Sequence, residues 1–262
     1  MSQRGIGIVL EGLQRPVKES LRAASQLSFR HVELPVVRGE VSPAQLASSG
    51  RRHLAHYVRG LGLELSALGA DLGGARFTDG AGVDHRLDQT RRIIEMAADV
   101  GVPVVTSHLG RVDERVLKAG YLTEAMRAMA EMADRTGRRI ALEASAAEPE
   151  VMFQLLKLTD CPLVGVCYDP ASQMIEGMDP LAGIERLADQ VILARARDAL
   201  AGSSARPGRE TPIGQGQVDF AEYFAALEAA GYAQPAFLRR TESQHPLDEL
   251  AEARAYLERY SD

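Results

Sequence analysis

The chain of 262 residues predicts an α/β protein closed into a (β/α)8 barrel. Strand-like and helix-like patterns alternate along its length with little interruption. The strand candidates are short, near-continuous apolar runs, as a parallel sheet covered by helices requires. Three of these runs, Ile140-Ala141-Leu142, Val164-Gly165-Val166 and Val191-Ile192-Leu193, lead at their downstream ends to Glu143, Asp169 and Arg195, and the charges recur at equal intervals. A repeated strand-plus-helix unit that presents its strand ends on one side of the molecule accounts for this spacing. A doubly wound open sheet is the competing architecture. It is disfavoured because no Gly-x-Gly-x-x-Gly turn follows the first strand and because strand ends in both halves carry polar groups.

Ile6 to Leu10 forms the first apolar run, and Pro16 opens a helix with Val17, Leu21, Ala24 and Leu27 at helical spacing. His31 to Leu34 precedes a Gly/Ser/Pro segment and a helical stretch from Gln45 to Arg59. Leu63 to Leu68 leads into a glycine-rich loop, Gly69 to Gly82, and then into a helix with Leu87, Ile93, Ile94, Ala97 and Val100 on one stripe. Pro103 to Ser107 is the fourth strand, and Thr123 to Thr136 a helix whose Met126, Met129, Ala130 and Ala133 face inward as core. After the three runs named above come a helix over Phe220 to Ala230, a strand over Pro235 to Leu238 and a last helix over Leu247 to Leu257. Eight strand-helix pairs in one domain, 1–262, fit this length.

With 45% hydrophobic and 25% charged residues the chain can bury a large core. A formal net charge of -6 argues against a general nucleic-acid or anionic-membrane surface, although a local basic pocket is allowed. Cys161 and Cys167 lie close to a buried strand and read as small hydrophobes in a reducing compartment. No apolar run approaches the roughly 20 residues of a membrane span, and no signal-peptide pattern follows Met1, so a cytoplasmic location is expected.

These segments resemble the xylose isomerase-like TIM barrels, the sugar isomerase/epimerase superfamily that also includes dehydratases and endonuclease IV. The resemblance rests on Val32-Glu33-Leu34, Ser107-His108-Leu109-Gly110, Leu142-Glu143, Cys167-Tyr168-Asp169-Pro170 and Arg195-Ala196-Arg197-Asp198, and most specifically on Pro212 to Phe220 with its Gly214-Gln215-Gly216 and Asp219-Phe220. It implies a divalent cation held by acids on strands five and six, a histidine on strand seven and a glutamate on strand eight. Glu143 and Asp169 match the two acids. The seventh-strand position falls on Arg195, and the eighth on Arg240, or on Arg239 if the strand shifts by one. A further family histidine is replaced by Ser172, and the lysine before the seventh-strand aspartate by Arg197.

Arginine offers no lone pair and stays protonated, so it cannot ligate a metal and would repel a cation between the two carboxylates. No metal or other cofactor is therefore expected. The arginines are instead expected to supply the positive charge, pairing with Glu143 and Asp169 when the site is empty and holding a carboxylate, phosphate or enolate oxygen when it is filled. A closed ion-pair network filling a dead pocket is the alternative. Glu143 is the candidate base and His108 the candidate acid, with a backbone-bonded structural role open for His108. Glu33, Asp169, Arg195, Arg197 and Arg240 are the candidate substrate-binding residues, their arginines giving a local positive excess. For Arg197 a local pair with Asp198 is the first reading and contact with the ligand the alternative, and Arg76, Arg206 and Arg209 read as loop residues over the mouth.

An isomerase or epimerase of carbohydrate metabolism is the first functional expectation, with a small anionic or polyol carbohydrate-type ligand. The second is a catalytically silent relative that binds an anionic carbohydrate metabolite or a partner protein. Homo-oligomer formation stays open. An abasic-site endonuclease would need several histidine ligands and a basic groove, whereas His53 and His56 fall on an outer helix and His245 at a helix start.

Overall fold

Each barrel strand hydrogen-bonds to its neighbours in parallel, and the last returns to the first. The computed structural model describes residues 5–72, 76–78, 80–145, 147–202 and 206–260, so parts of the expected Gly69 to Gly82 loop lie outside the described residues. Strands β1 (Ile6–Val9), β2 (His31–Pro35), β3 (Glu64–Gly69), β4 (Val104–Arg111), β5 (Arg139–Ser145), β6 (Val164–Tyr168) and β7 (Val191–Ala196) belong to the ring. Two further strands, β8 (Asp198–Leu200) and β9 (Arg209–Thr211), pair antiparallel as a separate hairpin, and β10 (Ala236–Leu238) closes the barrel between β7 and β1. Around it pack α1 (Val17–Gln26), α2 (Ser48–Gly60), α3 (Val83–Val100), α4 (Glu114–Lys118), α5 (Gly120–Thr136), α6 (Pro149–Thr159), α7 (Pro170–Ile175), α8 (Ala182–Leu187), α9 (Phe220–Ala229) and α10 (Pro246–Leu257).

The expected closed α/β barrel is thus the observed fold. Met126, Met129, Ala130 and Ala133 of α5 are buried, as their spacing requires, while His53 and His56 are exposed on α2. Two differences matter for the site. β4 continues to Arg111 rather than ending at Ser107, which places His108 inside a strand. The hairpin β8–β9 was not expected; it puts Arg209 in a strand and brings Glu210 against the ends of β7 and β10. Among the described residues no helix is long and apolar enough to cross a membrane.

Alternation along the strands divides the interior from the helix layer. Val9, Ala67, Val104, Ala141, Leu193 and Phe237 meet inside the barrel as an apolar cluster that also contains Cys167. Both cysteines are free. One step further along the same inward faces come Glu33, Thr106, Glu143, Arg195 and Arg239, so the polar site sits directly on this apolar plug.

Asp198 ties the segment after β7 into place. Its carboxylate accepts from the N–H groups of Ala199, Gly214 and Gly216 at 2.9 Å each and from Val218 at 3.1 Å. The Gly214-Gln215-Gly216 turn follows from this cradle, because Gly214 has φ +81° and a Cβ at Gly216 would overlap the Asp198 carboxylate. Asp198→Ala would leave these buried amides without an acceptor, and a loss of about 3 kcal/mol or more is expected in urea unfolding, at about 1–3 kcal/mol per orphaned group. A loss below about 1 kcal/mol would show that the turn holds itself without the carboxylate.

Candidate active site

At the carboxyl ends of the strands a cavity of about 330 Å³ is lined by Glu33, Thr106, His108, Glu143, Arg195 and Arg239, and on its other side by Val9, Val17, Pro35 and Val37. Arg195 reaches across it from β7. Its Nη2 donates to Glu33 Oε1 at 3.1 Å and its Nη1 to Glu33 Oε2, while Nε donates to Glu143 Oε2 at 3.4 Å. Thr106 Oγ1 donates to Glu33 Oε1 at 2.8 Å, so the β2 carboxylate is held by two other strands.

Glu143 is gripped from a second side. Arg239 Nη1 lies 2.9 Å from its Oε1 and 3.1 Å from its Oε2, and Arg239 Nη2 stands 3.8 Å from Glu11. Burial pushes the Glu143 carboxyl up, but the fields of Arg239 and Arg195 outweigh it and hold the group well below the ordinary carboxylate range. It is therefore an ionised, weakly basic carboxylate as long as both guanidiniums face it.

His108 lies beside Glu143 in the β4–β5 register, with Nε2 3.9 Å from Glu143 Oε1. A register shift after His108 brings Gly110 to φ +101°, and its N–H donates to His108 Nδ1 at 3.0 Å. A neutral ring that accepts at Nδ1 carries its proton on Nε2, on the side of Glu143. Burial, and secondarily Arg76, lowers the His108 pKa despite the opposing field of Glu143. The ring is a neutral donor.

The remaining expected site residues separate from this group. Asp169 caps α7, accepting from the N–H groups of Ala171 and Ser172 and from Ser172 Oγ at 3.0 Å, and it pairs with Arg197. Arg197 also donates to Glu210 Oε2 at 3.1 Å; the expected partner Asp198 is occupied by backbone amides. Arg240 is a correction. Alternation after Phe237 turns Arg239 inward and Arg240 outward, where Arg240 meets Glu249 at 2.7 Å and Glu210 at 3.1 Å instead of the cavity. The positive excess expected from Arg195, Arg197 and Arg240 is likewise absent, since each guanidinium has its own carboxylates.

Sequence reasoning missed Thr106 and Glu210. The first was legible as the residue two before His108, on the same strand face. The second was not, because it depends on an unforeseen hairpin.

A model of the family described as xylose isomerase-like TIM barrel matches residues 21–260. The chain belongs to this family. Its fold is shared with a xylose isomerase domain protein from Planctomyces limnophilus, at 19% identity over 97% of this chain and 95% of that one, with a TM-score of 0.83. It is shared also with a xylose isomerase-like TIM barrel protein from Mycobacterium smegmatis in complex with magnesium, at 16% identity, 98% and 96% coverage and a TM-score of 0.79. A D-tagatose 3-epimerase-like protein is 18% identical, with 98% of each chain covered and a TM-score of 0.75. No curated protein matches the chain.

The divalent cation that the family resemblance implies does not fit these residues. The Glu143 oxygens face Arg195 and Arg239, and those of Asp169 face two backbone amides, a hydroxyl and Arg197. Among the described residues no three His, Cys, Asp or Glu side chains gather to hold a metal.

Two outcomes follow from the buried charges. Arg195→Met strands Glu33, whose side chain is only 4% exposed, and is expected to cost about 3–5 kcal/mol in urea unfolding. Adding Glu33→Gln should recover much of that loss, whereas equal stability of Arg195→Met and wild type would contradict the pairing. The pH dependence has two stages. His108 binds its proton less readily folded than unfolded, so stability falls as the pH drops below its ordinary value of 6.5. Glu143 has the lowered pKa of a paired acid, so its contribution is full above its ordinary 4.5 and disappears as the pH falls through the lowered value. Urea midpoints measured from about pH 8 to about pH 3 should show both declines, with His108→Gln reducing the first and Glu143→Gln the second.

Proposed function

We propose that the protein is an isomerase or epimerase of a sugar or sugar derivative, in which arginines take the electrostatic role of a divalent metal. The observation that carries this reading is the facing pair of Glu143 and His108 in a cavity also lined by Arg195 and Arg239. Glu143 removes the proton from a carbon next to a carbonyl. His108 Nε2–H donates to the carbonyl oxygen as charge develops there. Arg239, and behind it Arg195, shift their attraction toward that oxygen, which frees Glu143 to hold the proton; it exchanges with solvent and is then delivered to the same face of the neighbouring carbon, or to the opposite face once the enolate has turned in the cavity. The weak basicity of Glu143 in the empty site is thereby relieved only when enolate charge is present, so the site binds the transition state in preference to the substrate.

The same weak basicity favours a second reading, a silent relative that binds a carbohydrate-type ligand without turnover. Deuterium incorporation from D2O into a panel of sugars and sugar acids, followed by NMR, separates the two. Exchange by wild type, reduced roughly 100-fold or more by Glu143→Gln with binding retained, is the expected result for the enzyme. Binding without exchange by wild type would establish the silent relative, and Glu143→Gln should then lower stability while tightening anion binding, because it leaves Arg239 unbalanced.

A further inference from the structure

A second cavity of about 250 Å³ adjoins the first, and the two share Asp71, His108, Glu143 and Arg239 as lining. The candidate acid and base therefore stand at a waist between two chambers of different character. On the β1–β2 side Val9, Val17, Pro35 and Val37 form an apolar stretch of the wall, the last three half-buried, beside the exposed Glu11 and Arg38. The charged groups at the base of that chamber, Glu33 and Arg195, are bonded to each other. Beyond the waist the lining is Arg76, Ser172, Glu176, Arg197 and Thr241, with Ile175 as the one aliphatic residue. The cations there are matched: Arg76 lies 3.2 Å from Asp71, and Arg197 pairs with Asp169 and Glu210.

From this division we infer that the ligand has two parts, a hydroxylated portion in the chamber of Arg197 and Thr241 and a compact apolar substituent against Val17, Pro35 and Val37. A free polyol could bond to polar groups in both chambers, such as Ser107 in the first and Thr241 in the second, but would leave the aliphatic stretch of Val17, Pro35 and Val37 facing water. A carbohydrate derivative bearing an alkyl or ring substituent matches both chambers. The inference rests on the proposed function only in placing the reacting carbon at the waist; the division of the cavity is independent of it.

Methyl NMR of the full chain labelled at valine, titrated separately with benzyl alcohol and with glycerol, tests the assignment. Benzyl alcohol is expected to shift the Val9, Val17 and Val37 signals and to bind there at least about tenfold more tightly than glycerol. Val37→Thr, which keeps the shape but adds a hydroxyl to the wall, should weaken benzyl alcohol at least about threefold with the fold intact. Shifts of these valines that are absent, scattered over other residues or matched by glycerol would overturn the two-part ligand. Loss of this selectivity with solvent deuterium exchange preserved would leave proton transfer standing, and selectivity without exchange would leave an amphipathic binding pocket.

Discussion

Arg195 draws β2 and β5 together across the mouth of the barrel, and the rest of the site is arranged around that span. Its guanidinium forms a fork on Glu33 and reaches Glu143 through Nε, at 3% side-chain exposure. Charges so far from water are tolerated only when each is matched and hydrogen-bonded. That requirement accounts for Thr106 on Glu33 and for Arg239 on Glu143. It also explains why the layer beneath is apolar: Val104, Ala141, Leu193 and Phe237 exclude water and offer no competing partner.

A family metal site concentrates positive charge at one point and lets several ligands converge on it. Guanidinium groups spread the same charge over planar forks that approach from the strands themselves. One outcome is that each carboxylate keeps a fixed partner, Glu33 with Arg195, Glu143 with Arg239, and Asp169 with Arg197. The proposed proton transfer would depend on exchanging partners as charge moves, which requires donors already oriented and a surrounding too dry to solvate the intermediate.

The barrel was legible because eight apolar runs with helical stripes between them leave few alternatives; Glu143 and Arg195 stand where such runs end, and Glu33 and His108 lie in segments that resemble the family. Arg239 and Arg240 were not separable at that level, since a shift of one residue reverses which side chain faces inward. The register of Phe237 opposite Arg195 resolves it. Asp198 was read as a partner for Arg197 because adjacent opposite charges invite pairing; backbone amides brought from sixteen to twenty residues away claimed it instead. Long-range partners of this kind leave no mark in a local pattern. Glu210, held between Arg197, Arg240 and Thr241, is the other example.

The ionic groups fall into two sets, the first of them equal in formal charge. Glu33 and Glu143 stand with Arg195 and Arg239, while Asp169, Glu210 and Glu249 share Arg197 and Arg240. A neutral guest leaves the first set in balance. An anion that takes Arg239 from Glu143 would add a negative charge to a dry enclosure, and the displaced carboxylate would regain its affinity for a proton. Entry of an anion would therefore be accompanied by proton uptake from solvent, which makes its affinity steeper in acid, while entry of a neutral molecule would proceed without net proton exchange.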